Sequence, residues 1–294
     1  MNNRVKDIIV WDILFDSKQT IGIEIEMEGQ NLSFNNSMYW KYTHDGSLRG
    51  TPESIEYLLK APIPKREVSR VLKLLKDLML IKRKPPARFT PSDRCGVHIH
   101  INIQHFTEEN LIKFMCTYLA VENLLLRYCG EARQGNLFCL RAIDANTLIS
   151  KLIEYRQDGD LLKLTGRALD IKYAAMNLGA IREHGSLEFR ALKTPNDIEK
   201  INEWVNLLCC VRDQSITFSS LEDIVETVSR YGADQFVRMI FQRHTNTLIN
   251  VIGPDVEDDI LEGIRIIQDI AYAKPLQQNK QEGINLPDED AYRG

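Results

Sequence analysis

The chain has 294 residues and is 44% hydrophobic, so it can bury a core that suffices for one large domain or two ordinary ones. Its formal net charge is −4, from 37 basic and 41 acidic side chains, which excludes the basic footprint of a nucleic-acid-binding protein. No apolar run approaches the roughly 20 residues needed to cross a bilayer, and no secretory signal is visible, so we expect a cytoplasmic protein without a membrane partner.

The first strong pattern lies at residues 21–28, where apolar and acidic side chains alternate. Successive side chains of a strand point to opposite faces, so the pattern predicts a strand with Glu24, Glu26 and Glu28 on one face. Three carboxylates repel one another unless a cation lies among them, which favours a metal site. The alternative is an acidic edge strand that resists aggregation, and from this stretch alone the two interpretations are about equally supported. Edge strands favour Lys, however, and no basic residue interrupts this run.

Short strands and turns are predicted for residues 39–64. Asp45-Gly46-Ser47 is a strong turn signal, and a strand that carries Glu56 runs over 55–59 until prolines stop it. From residue 66 to 84 apolar side chains recur at helical spacing, and the helix ends at a Pro-Pro pair.

A second alternating stretch, about residues 95–104, predicts a strand with His98, His100 and Asn102 on one face. Two alternate histidines often mark a transition-metal site. Because no third histidine or cysteine stands at a fitting spacing, we favour a metal–phosphate role shared with the glutamates over a zinc site. Two hydrogen-bonded residues on a half-buried strand are the alternative.

The six cysteines include no CxxC pair, which excludes the usual zinc spacing and favours buried thiols in a reducing compartment. Cys95 precedes the histidine strand, so a nucleophile with His98 as its base is one interpretation. Simple packing of the thiol is the favoured one.

The third alternating stretch, residues 186–192, places Glu188 and Arg190 on one face of a predicted strand. A carboxylate suits a metal ion, and the planar fork of a guanidinium suits phosphate. An ordinary set of cross-strand pairs is the alternative. Lys172 and Asn177 stand upstream, either at the site or on the surface.

Helices are predicted for most of the remaining chain. Thr107 and Asp144 are expected to begin two of them, Ser220 to cap a third, and residues 130–142 to be irregular. The predicted ranges are 107–128, 144–156, a short helix after 158–160, and then 196–218, 220–231, 233–251 and 255–272.

These elements predict an α+β fold with a largely antiparallel sheet, because the strands are not joined by regular βαβ crossovers. We expect residues 1–195 to form a catalytic sheet region with flanking helices and 196–273 to form a helical part of the same domain. Residues 274–294 are expected to form a frayed tail.

Neither a P-loop nor a GxGxxG turn is present in the sequence. Nucleotide phosphates would therefore have to be bound by side chains and by metal. Carboxylates and an arginine on strands can supply both.

Six short motifs in a fixed order resemble the putative amidoligase family, a group of carboxylate–amine ligases related to glutamine synthetase and glutamate–cysteine ligase. The resemblance covers about residues 20–195, and its specificity lies in the order of the motifs. They are Gly22-Ile23-Glu24-Ile25-Glu26, Asp45-Gly46-Ser47, Ile55-Glu56-Tyr57, Gly96-Val97-His98-Ile99-His100, Lys172-Tyr173 with Asn177, and Leu187-Glu188-Phe189-Arg190.

The resemblance implies a curved antiparallel sheet of the glutamine-synthetase type, whose concave face holds ATP and two or three Mg²⁺ ions, or Mn²⁺ in their place. It also implies a ligase that activates a carboxylate as an acyl phosphate, which an amine then attacks. Its substrates would be a carboxylic acid and an amine of unknown identity, and a homo-oligomer is an open expectation.

The resemblance also implies a role for each matched residue. Glu24, Glu26, Glu56, Glu188 and His98 would bind metal. The nucleotide would contact His98, His100, Lys172, Asn177 and Arg190, with Arg190 and Lys172 also acting in catalysis. The segment after the turn lacks the glycine-rich link of the family, so Glu53 competes with Glu56 for the ligand role, and we prefer Glu56.

Two other functions stay open from the sequence. The same site could end at phosphoryl transfer, as in a carboxylate or guanidino kinase. The chain could also be an inactive module that binds partners through its helical last third.

Overall fold

The computed structural model describes residues 4–8, 20–32, 35–44, 46, 48, 53–80, 87–165 and 173–273. Eight strands in these ranges form one sheet. They are β1 (Thr20–Gln30), β2 (Trp40–Thr43), β3 (Glu53–Leu59), β4 (Ile63–Pro64), β5 (Arg88–Phe89), β6 (Gly96–Asn102), β7 (Met176–Asn177) and β8 (Ser186–Lys193).

The main strands of the sheet lie in the order β2-β3-β1-β6-β8-β7, and β4 and β5 also pair with β1. All of these strand pairs are antiparallel, which confirms the prediction of a mixed fold with a largely antiparallel sheet. Because β1 lies between β3 and β6, the alternative that Glu24, Glu26 and Glu28 line an acidic edge strand is wrong.

Helices account for most of the rest of the described chain, and the last third is helical as predicted. Short 3₁₀ turns lie at Lys65–Glu67, Glu131–Arg133, Ala142–Asp144 and Gln242–His244. The helices are α1 (Val5–Ile8), α2 (Val68–Leu80), α3 (Glu108–Cys129), α4 (Asn146–Asp158), α5 (Leu161–Leu164), α6 (Gly179–His184), α7 (Glu199–Ser215), α8 (Leu221–Tyr231), α9 (Ala233–Phe241), α10 (Thr245–Ile252) and α11 (Glu257–Ala271).

Two predicted helix caps are confirmed and one is wrong. The Thr107 side chain accepts a hydrogen bond from Asn110 N at the start of α3, and Ser220 caps α8 in the same way. Asp144 does not cap α4, which begins two residues later, at Asn146, without a side-chain cap. Its carboxylate instead accepts a hydrogen bond from Arg141 Nε at 2.9 Å, because a 3₁₀ turn precedes the helix.

The single helix predicted over 233–251 is divided into α9 and α10. At Gln242 the backbone adopts a φ of 47°, which interrupts the helical hydrogen bonds. The helix predicted over 66–84 is α2, and its predicted end lies outside the described residues, as does the predicted tail over 274–294.

The core lies between one face of the sheet and the helices. Ile21, Ile23 and Ile25 of β1 are fully or almost fully buried on that face. The ring of Phe189 on β8 contacts two aromatic rings of α3, with centroids 4.9 and 5.6 Å away. These contacts fix α3 against the apolar face and leave the opposite face for polar side chains.

Helix α3 is buried on nearly all sides because α11 packs on it closely. Gly263 permits this approach, since a Cβ at that position would stand 2.6 Å from the Leu119 carbonyl oxygen. In the part of the chain that the structure describes, no helix combines the length and apolar character needed to cross a membrane.

Candidate active site on the polar face of the sheet

The register of the strands brings the three charged stretches together. Glu24 pairs with His98 across β1 and β6, and Glu26 pairs with Glu56 across β1 and β3. His100 pairs with Glu188 across β6 and β8. Directly paired residues of antiparallel strands project to the same face, so these side chains form one patch opposite the helices.

His98 lies at the centre of this patch, with only 6% of the residue exposed. Its Nδ1 lies 3.1 Å from Glu24 Oε2 and 3.5 Å from Glu188 Oε1. Its Nε2 lies 3.3 Å from Arg190 Nη2 and 3.8 Å from Glu26 Oε1. Because a guanidinium only donates, a neutral His98 would accept from Arg190 at Nε2 and donate to Glu24 from Nδ1.

Three side chains in this patch lie close enough together to hold one cation. Glu24, Glu56 and His98 each offer one ligand atom, and these atoms lie within 4.8 Å of one another. Glu53 stands three residues before Glu56 and therefore points to the other face, where its Oε2 accepts a hydrogen bond from Leu32 N at 2.5 Å. The structure thus brings Glu56 into the patch and leaves Glu53 outside it.

The two carboxylates nearest the histidines hold their negative charge. Burial alone would raise the pKa of Glu24, but hydrogen bonds from His100 and His98 outweigh it and hold that pKa well below its usual range. Burial opposes ionisation of Glu188 as well, and the nearby charges of His98, His100 and Arg190 nevertheless lower its pKa. The patch therefore keeps an excess of negative charge around His98.

Glu26 and Glu28 are buried on the same face, 6% and 3% exposed. Glu26 Oε2 accepts a hydrogen bond from Gly96 N at 2.6 Å, and Glu28 Oε2 accepts one from Ser92 N at 3.2 Å. Both carboxylates thus lie along the row that starts at Glu24, towards the far end of β1.

Glu188 is oriented by a buried amide. Asn177 Nδ2 donates to Glu188 Oε2 at 2.6 Å, and Asn177 Oδ1 accepts from Gly179 N at 2.8 Å. Both ends of the amide are thus engaged within the protein. Asn177 therefore orients Glu188, and its expected contact with the nucleotide stays a prediction.

Arg190 reaches the patch from β8. Its Nη1 lies 3.6 Å from Glu188 Oε1, and its guanidinium carbon lies 5.9 Å from the centre of the Tyr173 ring. The cation therefore stands beside both His98 and Glu188. Lys172, the other predicted catalytic residue, lies outside the described residues, as do Asp45 and Ser47 of the predicted turn.

His100 connects the patch to a neighbouring groove. Its Nδ1 lies 3.0 Å from Ser186 Oγ, and its ring contacts the ring of His184 edge-on at 5.4 Å between centroids. Its pKa is raised, because contacts with Glu24 and Glu188 outweigh the opposing effect of burial. The groove has a volume of about 420 Å³ and is also lined by Gly22, Glu24, Lys41, Leu58, Pro62 and Asn102.

The structure decides between the two interpretations of Cys95. The thiol is fully buried, and burial together with the neighbouring Glu28 charge raises its pKa to about 12. The His98 ring is already engaged by Glu24 and Arg190. Cys95 is therefore a packing residue and not a nucleophile.

Sequence reasoning missed three residues around the site. Arg133 is almost fully buried beside β8, Gly96 leaves room for the side chains of Glu26 and His98, and His184 stands at the groove. Arg133 lies in a stretch without periodicity, so no pattern indicated it. The sequence indicated Gly96 only as the first residue of the motif that contains His98 and His100.

A family model described as putative amidoligase enzyme matches residues 54–211, which is more than half of the chain. The match includes Glu56, His98, Glu188 and Arg190 and begins after β1, so Glu24 and Glu26 join the site on the strength of the strand register. A search of curated proteins finds no match. By the extent of the family match, the chain belongs to the putative amidoligase family, whose description indicates an amide-bond-forming ligase.

Proposed function

We propose that the protein is an ATP- and Mg²⁺-dependent carboxylate–amine ligase that forms an amide bond through an acyl phosphate. The observation that carries this proposal is the set of cation ligands on three adjacent strands, Glu24, Glu56 and His98, with Arg190 beside it. Family membership supports the amide-forming reaction, and the acidic patch supports the use of a metal-bound nucleotide.

The donor set fits a divalent cation. Two carboxylates and one imidazole suit Mg²⁺ or Mn²⁺, with Mn²⁺ better matched to the nitrogen ligand. The carboxylates of Glu24, Glu26, Glu56 and Glu188 lie on the same face of adjacent strands, so added positive charge would relieve their repulsion. When bound, the cation would neutralise charge on phosphate oxygens.

The protein's residues have separate tasks in this proposal. Glu24, Glu56 and His98 would hold the metal, and Glu26 and Glu188 would surround it with further carboxylate oxygens. Arg190 would donate hydrogen bonds to the transferred phosphoryl group, as its planar fork allows. Asn177 would keep Glu188 in place, and the groove beside Glu24 and His100 has a volume in the range of ligand sites and would take the nucleoside part of ATP.

The proposed reaction has two displacements. A carboxylate oxygen of the acid substrate attacks the γ-phosphorus of ATP, the bond to the β-phosphate oxygen breaks, and ADP leaves. The amine nitrogen of the second substrate then attacks the acyl carbon, the carbon–oxygen bond to phosphate breaks, and the amine loses a proton. Arg190 and the held cation would stabilise the charge in both steps.

The proposal extends to the fold. A glutamine-synthetase-type sheet carries its metal ligands on one face and its helices on the other, and this division of the two faces supports such a fold here. An experimental structure compared with that fold would test this part independently of activity.

A phosphate-release assay with Mg–ATP and a panel of carboxylic acids and amines tests the reaction. With an ¹⁸O-labelled carboxylate, transfer of one ¹⁸O to the released phosphate would support an acyl phosphate. Glu56→Gln should abolish release, whereas Glu53→Gln, on the other face of the same strand, should retain it. Phosphorylated acid that accumulates without incorporation of amine would instead indicate a phosphotransferase, and absence of Mg–ATP binding would favour an inactive module.

A further inference from the structure

The strand that carries Arg190 has a bulge at that residue. Ile99 of β6 pairs with Phe189, but Val97 pairs with Leu192. One residue of β6, His98, thus stands opposite two residues of β8, Arg190 and Ala191. A bulge interrupts the ladder hydrogen bonds and redirects the side chain that it carries.

A buried arginine takes the place of the interrupted ladder. Arg133 Nη2 donates to the Arg190 carbonyl oxygen at 2.7 Å, and Arg133 Nε donates to the Ala191 carbonyl oxygen at 2.8 Å. Its Nη1 donates to the Asp93 carbonyl oxygen at 3.1 Å. The residue is 1% exposed, so its charge is removed from water and is compensated by these oxygens.

The position of Arg133 is fixed by the end of α3. Arg133 N donates to Gly130 O at 3.0 Å, at the turn that follows the helix. The Arg133 carbonyl oxygen accepts a hydrogen bond from the buried Cys139 thiol at 3.3 Å. The backbone of Arg133 is thus held at both its N–H and its carbonyl group, by contacts that do not involve β8.

We propose that Arg133 is a positioning residue that holds the bulge of β8 and thereby directs the Arg190 side chain at His98 and Glu188. The peptide groups on both sides of the Arg190 Cα are then fixed, since Arg190 N donates to Ala175 O at 3.0 Å. A planar fork can serve two successive carbonyls at once, and a lysine ammonium cannot reproduce that geometry. The inference concerns phosphate binding by Arg190, so it rests on the proposed function.

The test uses full-length protein and compares Arg133→Lys with Arg212→Lys, a change at another buried arginine that pairs with Asp213 away from the site. The affinity for Mg–AMP-PNP, a non-hydrolysable ATP analogue that keeps a γ-phosphoryl group, is measured by calorimetry in the wild-type and Arg190→Gln backgrounds. We expect Arg133→Lys to weaken binding about tenfold, the scale of one hydrogen bond to a charged group. In the Arg190→Gln background the same change should weaken binding less than about twofold, because the two residues act as one unit.

Hydrogen exchange of residues 186–193 in nucleotide-free protein gives a second readout. Arg133→Lys should speed exchange in this strand, and Arg212→Lys should leave it unchanged. If Arg133→Lys does not fold, Arg133→Met removes the buried charge while keeping an extended side chain and replaces it in both measurements. An equal effect of the Arg133 change in both backgrounds, or unchanged exchange, would overturn the inference. If wild-type protein binds no Mg–AMP-PNP, the proposed function fails, and the exchange measurement alone decides whether Arg133 holds the bulge.

Discussion

The backbone N–H of Gly96 donates a hydrogen bond to Glu26 Oε2 at 2.6 Å, and this contact joins the first residue of β6 to the acidic row of β1. The close approach depends on the absence of a side chain at Gly96. A Cβ there would stand 3.2 Å from Arg133 Nη2, 3.3 Å from Glu26 Oε2 and 3.4 Å from His98 Nε2.

Gly96→Ala should therefore disturb the site more than the fold. The added methyl group must displace Glu26, His98 or Arg133, so we expect affinity for Mn²⁺ to fall by about tenfold, the lower end of the effect of losing a ligand-orienting contact. Titration of Mn²⁺ followed by electron paramagnetic resonance measures this. Gly46→Ala, where an added Cβ would meet nothing within 4 Å, is the control. Unchanged Mn²⁺ affinity in Gly96→Ala would show that the crowding has no effect on the site.

Asn177→Leu should lower both stability and Mn²⁺ affinity. Removal of the amide leaves Glu188 Oε2 without its 2.6 Å hydrogen bond inside the protein, which costs about 1–3 kcal/mol in the free energy of unfolding. Urea denaturation in metal-free buffer measures that loss. Because wild type would bind Mn²⁺ more tightly than the variant, added Mn²⁺ should stabilise wild type more, so the loss should grow when Mn²⁺ is added. A deficit that is the same with and without Mn²⁺ would argue against Glu188 as part of the cation site.

Cys95→Ser should leave Mn²⁺ affinity and nucleotide binding unchanged, because the thiol is buried and its pKa is raised to about 12. Mass spectrometry of the folded protein after treatment with iodoacetamide should find Cys95 unmodified. The partly exposed Cys210 should react first. Rapid alkylation of Cys95 at neutral pH, with loss of activity, would restore the nucleophile hypothesis.

Glu122 should make the protein less stable as the pH rises from about 4.5 to about 8. Its carboxyl is buried in α3 with Oε1 unpartnered, and burial raises its pKa to about 8, although the Ala142 N–H, which donates to Oε2 at 2.8 Å, opposes the shift. Between its ordinary pKa and the raised value the folded state holds a proton that the unfolded state has lost. Below about pH 4.5 the contribution of Glu122 to the free energy of unfolding is therefore at its maximum. Between about pH 4.5 and about pH 8 this contribution declines by up to about 1.4 kcal/mol per pH unit.

Glu122→Gln removes this titration and tests it directly. The variant should be more stable than wild type at pH 8, and the difference should narrow as the pH falls towards 5. Urea denaturation at several pH values gives the free energies of unfolding. A constant difference between the two proteins across that range would contradict a proton held by Glu122.

The sequence alone predicted which charged side chains share a face of each strand, because side chains in a strand alternate with a period of two. Glu24 with Glu26, His98 with His100, and Glu188 with Arg190 could be assigned to common faces from that period. The sequence could not predict the order of the strands in the sheet, because that order depends on long-range packing. The central position of β1, which excludes the acidic edge strand, therefore came from the structure.

The residues and backbone features that position the charged side chains were harder to predict than the charged side chains themselves. Arg133 acts on backbone carbonyls, and such a contact leaves no pattern in a single sequence. The bulge at Arg190 shifts the register by one residue within an otherwise regular alternation. The Asp144 cap failed because a neighbouring arginine, Arg141, binds the carboxylate that the pattern assigned to the helix.

The central claim is that Glu24, Glu56 and His98 hold one divalent cation that pairs with a nucleotide. Mn²⁺ titration followed by electron paramagnetic resonance, with and without ATP, tests it most directly. We predict saturable binding that ATP strengthens, a loss of about 10- to 100-fold in Glu24→Gln and in Glu56→Gln, and no loss in Glu53→Gln. Equal Mn²⁺ affinity in all four proteins, or binding that ATP does not alter, would contradict the claim.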